Sequence, residues 1–185
     1  MAHARLGAGL LALALVVTLS MDTRPAAAAS AAEINRDVDA ALTRLYADVP
    51  DARTLGERAR AVLVFPGVVK AGFLFGAQYG DGALRRQGKT VGYYNTVAAS
   101  YGLQAGVQEF GYALFFMSDS ALGYLDRSDG FELGVGPSIV VVDAGKAKAL
   151  TTTTAQNDIY AFIFDQRGLM AGAGLQGSKI SRIDR

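Results

Sequence analysis

Apolar residues recur at three- and four-residue spacing near the start of the chain, between Glu33 and about Arg60. The recurring residues are Ile34, Val38, Leu42, Leu45 and Val49, with charged residues at many of the positions between them. This spacing places the apolar side chains on one face of an amphipathic helix. Pro50 is expected to end or bend that helix. Thr54-Leu55-Gly56-Glu57 has the pattern of a capping box and predicts a second, short helix through Arg60.

From Ala61 onward the pattern becomes that of β-strands. Ala61 to Phe65 is a short apolar run, which Pro66-Gly67 is expected to stop. Residues alternate in size from Ala71 to Tyr79, and again from Ser100 to Met117. Further strand-like segments are Phe131 to Val135, Ser138 to Val142, Ile159 to Phe164 and Leu169 to Leu175. Ser118 to Leu125 has helical spacing and predicts one or two helical turns. Glycines on alternate strand positions, such as Gly102 and Gly106, indicate close approach of another backbone or side chain, tight curvature or a thin spot in a barrel, and we expect close approach at these two.

These elements predict the fold class. We expect one α+β, β-rich domain over residues 33–185, in which N-terminal helices precede a strongly curved, largely antiparallel sheet. About six or more strands are expected, closed or nearly closed into a barrel.

The first residues have the pattern of a secretory signal. His3 and Arg5 precede an apolar run from Leu6 to Leu19, and small residues cluster from Ala26 to Ala32. An apolar run of this length is too short to span a bilayer, which favours a cleaved signal over the alternative of a membrane anchor. We expect residues 1–29 to be the signal peptide, with cleavage after Ala29 or Ala32. The mature protein would then lie in the periplasm or cell envelope.

The composition excludes several kinds of chemistry. Cysteine is absent, and the only histidine, His3, lies in the predicted signal. The mature chain would therefore lack Ser-His-Asp and Cys-His catalysis and the usual zinc, copper and haem sites. Loss of the signal leaves 16 basic and 16 acidic residues, and this balance gives no reason to expect nucleic-acid binding. We expect no cofactor, no metal and no catalytic residue; a hydrolase that uses carboxylates or a Ser-Lys pair is the remaining enzymatic alternative.

Two strings imitate a nucleotide-binding site. Ala83 to Thr90 matches a relaxed phosphate-loop pattern, and Ser138 to Asp143 has the pattern of a strand that presents a magnesium-binding aspartate. A phosphate loop needs a helix that begins at its Lys-Thr, whereas Val91 to Asn95 has β character. We therefore predict a basic hairpin turn and no nucleotide partner. Asp126 to Glu132 lacks the spacing of a calcium loop and is predicted to be a surface turn.

The densest positive run of the mature chain is Arg85-Arg86-Gln87-Gly88-Lys89. Such runs are usually solvated hairpin tips. A cluster like this one also suits anionic lipid head groups, at about 1 kcal/mol per basic residue near a charged surface. The helix from Glu33 to Val49 leaves a similar pair of alternatives open, because it could dock on the core or lie in a membrane interface.

Several strings resemble landmarks of the SYLF domain family. They are Phe-Pro-Gly-Val-Val-Lys-Ala-Gly at 65–72, Tyr-Gly-Leu-Gln-Ala-Gly at 101–106 and Gly-Leu-Met-Ala-Gly-Ala-Gly-Leu-Gln-Gly at 168–177, and the resemblance extends from about Leu55 to Ile183. It implies a non-catalytic module. Eukaryotic members bind phosphoinositides and other anionic lipids, and some bundle actin, whereas bacterial members are exported envelope proteins. Lipid binding in the family involves basic residues and an amphipathic N-terminal segment.

The resemblance makes Lys70, Arg85, Arg86 and Lys89 the candidate lipid-binding residues. It predicts an exported, non-catalytic module whose partner is an anionic lipid head group or membrane surface in the cell envelope. The alternative is a scaffold protein that binds another envelope protein without a lipid role. Actin is not expected as a partner of an exported protein.

Overall fold

The computed structural model describes residues 28–72, 75–101, 106–125, 127, 130–133, 136–143, 157–168 and 177–185. This part of the chain contains three helices and eight strands. The helices are α1 (Ala31–Asp48), α2 (Pro50–Arg58) and α3 (Asp119–Leu122). The strands are β1 (Ala61–Gly72), β2 (Phe75–Arg86), β3 (Lys89–Tyr101), β4 (Gly106–Phe116), β5 (Phe131–Glu132), β6 (Ile139–Asp143), β7 (Ile159–Gly168) and β8 (Lys179–Ile183).

Helix α1 begins with a capping box. The side chain of Ser30 accepts a hydrogen bond from the backbone N–H of Glu33, and the Glu33 carboxylate accepts one from the backbone N–H of Ser30 at 2.8 Å. Two N–H groups that the helix leaves unpaired are thereby satisfied. The buried residues of α1 are Ile34, Val38, Ala41 and Leu45. The predicted amphipathic helix is confirmed.

Helix α2 differs from its prediction at its start. Pro50 is its first residue, a position where the missing proline N–H has no cost. Thr54 lies inside the helix, where its hydroxyl donates to the carbonyl of Pro50 at 3.5 Å. The predicted capping box at Thr54 is therefore wrong, because the proline four residues earlier already opens the helix.

The strands form one sheet in the order β5-β8-β3-β2-β1-β4-β7-β6, with β5 and β6 at its edges. All neighbouring pairs are antiparallel except β6 and β7, which are parallel. The sheet curves into a half-barrel behind the helices, which confirms the predicted β-rich α+β class.

Strand β1 corrects two sequence predictions. It continues through Pro66-Gly67, and its pairing with β2 shifts between Val64 and Val69, as at a β-bulge. A bulge tolerates proline because one residue there is left unpaired. The alternating segment from Ala71 to Tyr79 is not one strand, because its two ends belong to β1 and β2, which pair at Gly72 and Gly76. The predicted strand Leu169 to Leu175 lies outside the described residues.

The two faces of the sheet carry separate apolar clusters. Helices α1 and α2 pack on one face, against Val62, Val64, Phe115, Phe162 and Phe164 among others. Residues of α3 and β5 pack against the opposite face of the sheet. The apolar cluster on that face includes Leu63, Phe65, Tyr112, Leu114 and Phe116. Burial of alternate residues on both faces explains why β4 is nearly continuously apolar at its end.

Glycine contacts differ from the sequence prediction. A Cβ on Gly106 would meet nothing within 4 Å, and its φ is +145°, so backbone conformation rather than close packing favours glycine there. The predicted close approach at Gly106 is wrong, and Gly102 lies outside the described residues. Close approach instead occurs at Gly111, where a Cβ would meet the ring of Phe164.

Candidate functional site

The basic run forms the tip of the β2–β3 hairpin. Gln87 and Gly88 have φ values of 49° and 76°, as a tight hairpin turn requires, and Lys89 and Thr90 begin β3. A phosphate loop needs a helix at that point, so Ala83 to Thr90 does not have the geometry of a nucleotide site. Asp143 lies in β6, separated from β2 by three strands. The predicted hairpin turn is confirmed.

The three basic residues of this run have different environments. Arg86 and Lys89 are exposed, and neither forms an ion pair within the described part of the chain. The side chain of Arg85 is 12% exposed, and its Nη2 lies 2.7 Å from the Asp39 carboxylate. The same nitrogen donates to the backbone carbonyl of Asn35 at 3.0 Å. Arg85 therefore fastens α1 to the sheet, and only Arg86 and Lys89 face solvent.

Further polar contacts hold α1 in place. The amide of Asn35 donates to the Tyr93 hydroxyl at 2.8 Å and accepts from the Thr90 hydroxyl at 2.7 Å. Arg44 lies 2.9 Å from Asp165, a residue with φ of 52° at an irregularity in the pairing of β7 with β4. The apolar face of α1 is turned to the sheet, so α1 occupies the docked alternative of the two that the sequence left open.

Lys70 lies on the opposite face of the sheet from α1. Its pairing partners are Gln78 on β2 and Gln108 on β4, so three polar side chains lie side by side across the sheet. Lys70 is only 8% exposed. Gln78 donates to the Ser178 hydroxyl at 3.1 Å, and the buried Oε1 of Gln108 has no hydrogen-bond partner among the described residues. The four predicted residues do not form one patch, since only Arg86 and Lys89 share an exposed surface.

A groove lies between one side of α1 and the neighbouring part of the sheet that the helix does not cover. Its volume is about 870 Å³. Its floor is apolar, and its rim is charged; the lining includes Val69, Ala71, Ala77, Tyr79, Asp37, Arg44 and Glu109. The Asp81 carboxylate, also in the lining, accepts from the Tyr79 hydroxyl at 2.6 Å and from Arg185 at 2.9 Å. The groove is thus a shallow apolar trough with charges on both sides, Asp37 and Arg44 on α1 and Asp81 and Glu109 on the sheet.

Beyond the groove the sheet carries an exposed apolar surface, which we term the apolar end. It consists of Val69, Phe75, Tyr79, Val97 and Val107, which are between 45% and 73% exposed. Sequence reasoning did not find it. Alternation of residue size marks two faces of a strand but does not reveal which face a helix will cover, so the exposure of these side chains had no local signal.

The described residues show no metal site and no membrane-spanning helix. Within the described ranges, no three His, Cys, Asp or Glu residues are grouped so that they could hold a metal ion. Among the helices of the same ranges, none has the length and apolar character needed to cross a bilayer.

Comparison with known proteins gives one family. Residues 97–184 match the family model described as "Ysc84: Las17-binding protein actin regulator", which is the SYLF family. The SYLF resemblance is confirmed. The SYLF match runs from the end of β3 through β8, so the Phe-Pro-Gly-Val-Val-Lys-Ala-Gly string of β1 lies outside it. The SYLF family is a non-catalytic binding module associated with lipid binding and actin regulation. No curated protein matches the chain.

Proposed function

We propose that this protein is an exported, non-catalytic SYLF module that binds lipid at a membrane surface of the cell envelope, with a preference for anionic head groups. The observation that carries the proposal is the exposed pair Arg86 and Lys89, which flank a tight hairpin turn and have no carboxylate partner among the described residues. Two unneutralised cations at a convex tip can approach a phosphate layer without first breaking an internal ion pair. The lipid association of the SYLF family supports the same conclusion.

The basic tip provides only a part of the affinity. Two basic residues near an acidic surface contribute about 2 kcal/mol, or roughly thirtyfold in affinity. Lys70 and Arg85 add little, because one is buried and the other is paired with Asp39. Stable binding therefore needs a further contact from the folded surface.

A flotation experiment tests the proposal. The exported protein is mixed at low salt with vesicles of phosphatidylethanolamine and phosphatidylglycerol, and in parallel with vesicles of phosphatidylcholine alone. The variant Arg86→Gln/Lys89→Gln should lose roughly thirtyfold in affinity for the anionic vesicles and most of its salt dependence. Arg36→Gln/Arg58→Gln is the matched control, since it removes the same charge from exposed residues of α1 and α2. Equal losses in both variants would contradict a specific role for the tip.

The groove favours a second candidate function, binding of another envelope protein. Its apolar floor and the carboxylates of Asp37 and Glu109 suit an apolar polypeptide segment that carries basic residues. A photocrosslinking residue at Ala77, in the groove, should then capture one envelope protein that the same residue at Val141, on the edge strand β6, does not. Capture of lipid alone at Ala77 would contradict this scaffold role.

A further inference from the structure

The apolar end is a continuous surface on one face of the sheet. Val69 lies opposite Tyr79, and Tyr79 lies opposite Val97, so these three side chains share a face across β1, β2 and β3. Val107 lies opposite Ala71, two residues from Val69, and therefore joins the same face. Phe75, at 73% exposed, stands at the start of β2 and forms the outermost part of the surface.

The charges of this end lie at the row of Tyr79, where Glu109 is opposite Val69 and Lys179 is opposite Val97. Beyond that row, the charged side chain among the described strand residues is Lys70, which is 8% exposed on the opposite face. Three stretches of sequence contribute described residues to this end of the sheet, because Gly72 pairs with both Gly76 and Gly106, and Gln108 pairs with Gly168. These stretches, 71–80, 96–108 and 168–178, contain no Asp, Glu, Lys or Arg, although such residues make up 19% of the chain. Uncharged exposed side chains beyond the Tyr79 row, with charges at that row, match hydrocarbon on one side of the row and head groups at it.

The depth of the uncharged zone matches one leaflet. Phe75 and Tyr79 are four residues apart on β2, or about 13 Å at the rise of an extended strand. Half of a bilayer's hydrocarbon core is about 15 Å thick. Tyr79 stands at the inner boundary of the zone, and its hydroxyl donates to Asp81 on the polar side at 2.6 Å. Tyrosine with its ring in an apolar layer and its hydroxyl in a polar one is the usual arrangement at a membrane interface.

The helical layer determines how this surface can approach a membrane. Helix α1 covers the same face of the sheet farther back, and it rises above the sheet by about one helix diameter, or about 10 Å. The sheet face therefore cannot lie flat on a bilayer, and only an end-on approach brings Phe75 and Val107 to the lipid. The basic tip lies at the other end of β2, roughly 35 Å from Phe75 along the strand. When the protein approaches a flat bilayer end-on, either the apolar end or the basic tip contacts the bilayer, but not both.

We propose that the apolar end is a second lipid contact, which enters the hydrocarbon of a bilayer to about the level of Tyr79. The inference rests on the proposed function and adds to it a binding mode that does not depend on lipid charge. Binding through the basic tip weakens with salt because it is electrostatic. Binding through the apolar end persists at high salt and extends to phosphatidylcholine vesicles, because burial of apolar side chains does not require anionic head groups.

A single introduced tryptophan reports on each end separately, because the chain contains none. In Phe75→Trp, the fluorophore replaces the outermost side chain of the apolar end. In Val91→Trp, it replaces a 46% exposed side chain two residues from Lys89. The full exported protein carries each substitution, and vesicles of phosphatidylcholine or of phosphatidylethanolamine with phosphatidylglycerol are added at low and high salt. The emission of Phe75→Trp should move to shorter wavelength with both vesicle types and be quenched by lipids brominated in their acyl chains.

Threonine substitutions provide the matched affinity test. Val69→Thr/Val97→Thr/Val107→Thr keeps side-chain shape and β preference but makes the apolar end polar. Its binding to phosphatidylcholine vesicles should weaken by about tenfold or more. Val91→Thr/Val141→Thr changes exposed valines outside the apolar end and should bind as the unsubstituted protein does. Unfolding temperatures of all variants show that the fold is kept.

Each outcome separates this inference from the proposed function. A response of Val91→Trp to anionic vesicles without one of Phe75→Trp would overturn the apolar contact and leave lipid binding by the tip in place. Equal binding of the triple threonine variant and its control would also overturn it. A shift of Phe75→Trp with rising protein concentration and no vesicles would assign the surface to self-association instead. If no form of the protein binds either vesicle type, the proposed function itself fails.

Discussion

The guanidinium of Arg85 and the carboxylate of Asp39 lie 2.7 Å apart and join β2 to α1. The arginine side chain is 12% exposed and the aspartate 66%, so the pair is sheltered on one side only. Its neighbour Arg86 points to the other side of the strand, as successive strand residues do, and is exposed. Adjacent arginines therefore have different roles, since one stabilises the fold and the other is free to meet a ligand.

Removal of Asp39 should weaken the docking of α1. Asp39→Ala leaves the largely buried Arg85 guanidinium with its bond to the Asn35 carbonyl but without its carboxylate partner. Because Asp39 is mostly exposed, we expect a loss of about 1 kcal/mol in the free energy of unfolding by denaturant. Asp37→Ala, which removes the exposed partner of Arg36, is the control and should change stability by less than about 0.5 kcal/mol. Equal effects of the two substitutions would contradict a docking role for the Arg85–Asp39 pair.

Local periodicity was enough to predict much of the fold. The amphipathic stripe of α1, the basic hairpin turn and the strand character of β7 are properties of short segments, and the structure confirms them. The placement of Lys70 and Arg85 could not be predicted in this way. Lys70 faces away from α1 because the irregularity near Pro66-Gly67 sets its register, and Arg85 is covered because α1 docks beside it. Both outcomes depend on pairing between distant segments.

The packing of Gly111 against Phe164 gives a second stability prediction. A methyl group on Gly111 would meet the ring of Phe164, its partner on the neighbouring strand β7, on the face of the sheet that α1 covers. We expect Gly111→Ala to lower the free energy of unfolding by about 1–3 kcal/mol through overpacking. Gly123→Ala, at the end of α3, is the matched control, because a Cβ there would meet neighbouring atoms only at 3.5 Å. A Gly111→Ala protein as stable as the control would show that the ring moves aside without cost.

Asp158 makes stability depend on pH. The backbone N–H of Ser138, and then the hydroxyls of Ser138 and Ser118, hold the pKa of Asp158 below its usual range. The unfolded carboxyl takes up its proton near pH 4. The ionised Asp158 carboxylate therefore contributes its full stabilisation of the folded state above about pH 4. This contribution is lost as the pH falls through the lower pKa that Asp158 has in the folded state.

Asp158→Asn tests this linkage by thermal unfolding at a series of pH values. The variant should melt at a lower temperature than the unsubstituted protein at neutral pH, and the two should converge as the pH falls below about 4. A difference that stays constant across the whole series would show that the ionised carboxylate is not responsible.

The capping box favours one of the two cleavage sites of the predicted signal peptide. In the structure, the Glu33 carboxylate accepts a hydrogen bond from Ser30 N at 2.8 Å. Cleavage after Ala29 would make Ser30 the first residue and would keep its amino group next to that carboxylate. Cleavage after Ala32 would remove Ser30 and with it the cap, which is worth about 1 kcal/mol. We expect the intact mass of the exported protein to correspond to residues 30–185. A mass that corresponds to residues 33–185, or to a chain that retains residues 1–29, would contradict this prediction.

Flotation of the unsubstituted protein, residues 30–185, tests lipid binding most directly. At low salt, with phosphatidylglycerol-containing vesicles and no other protein present, the protein should rise with the vesicles through a density gradient. Circular dichroism of the same sample should show the folded sheet. A folded protein that stays in the dense fraction with both anionic and phosphatidylcholine vesicles would contradict lipid binding by the basic tip and by the apolar end alike.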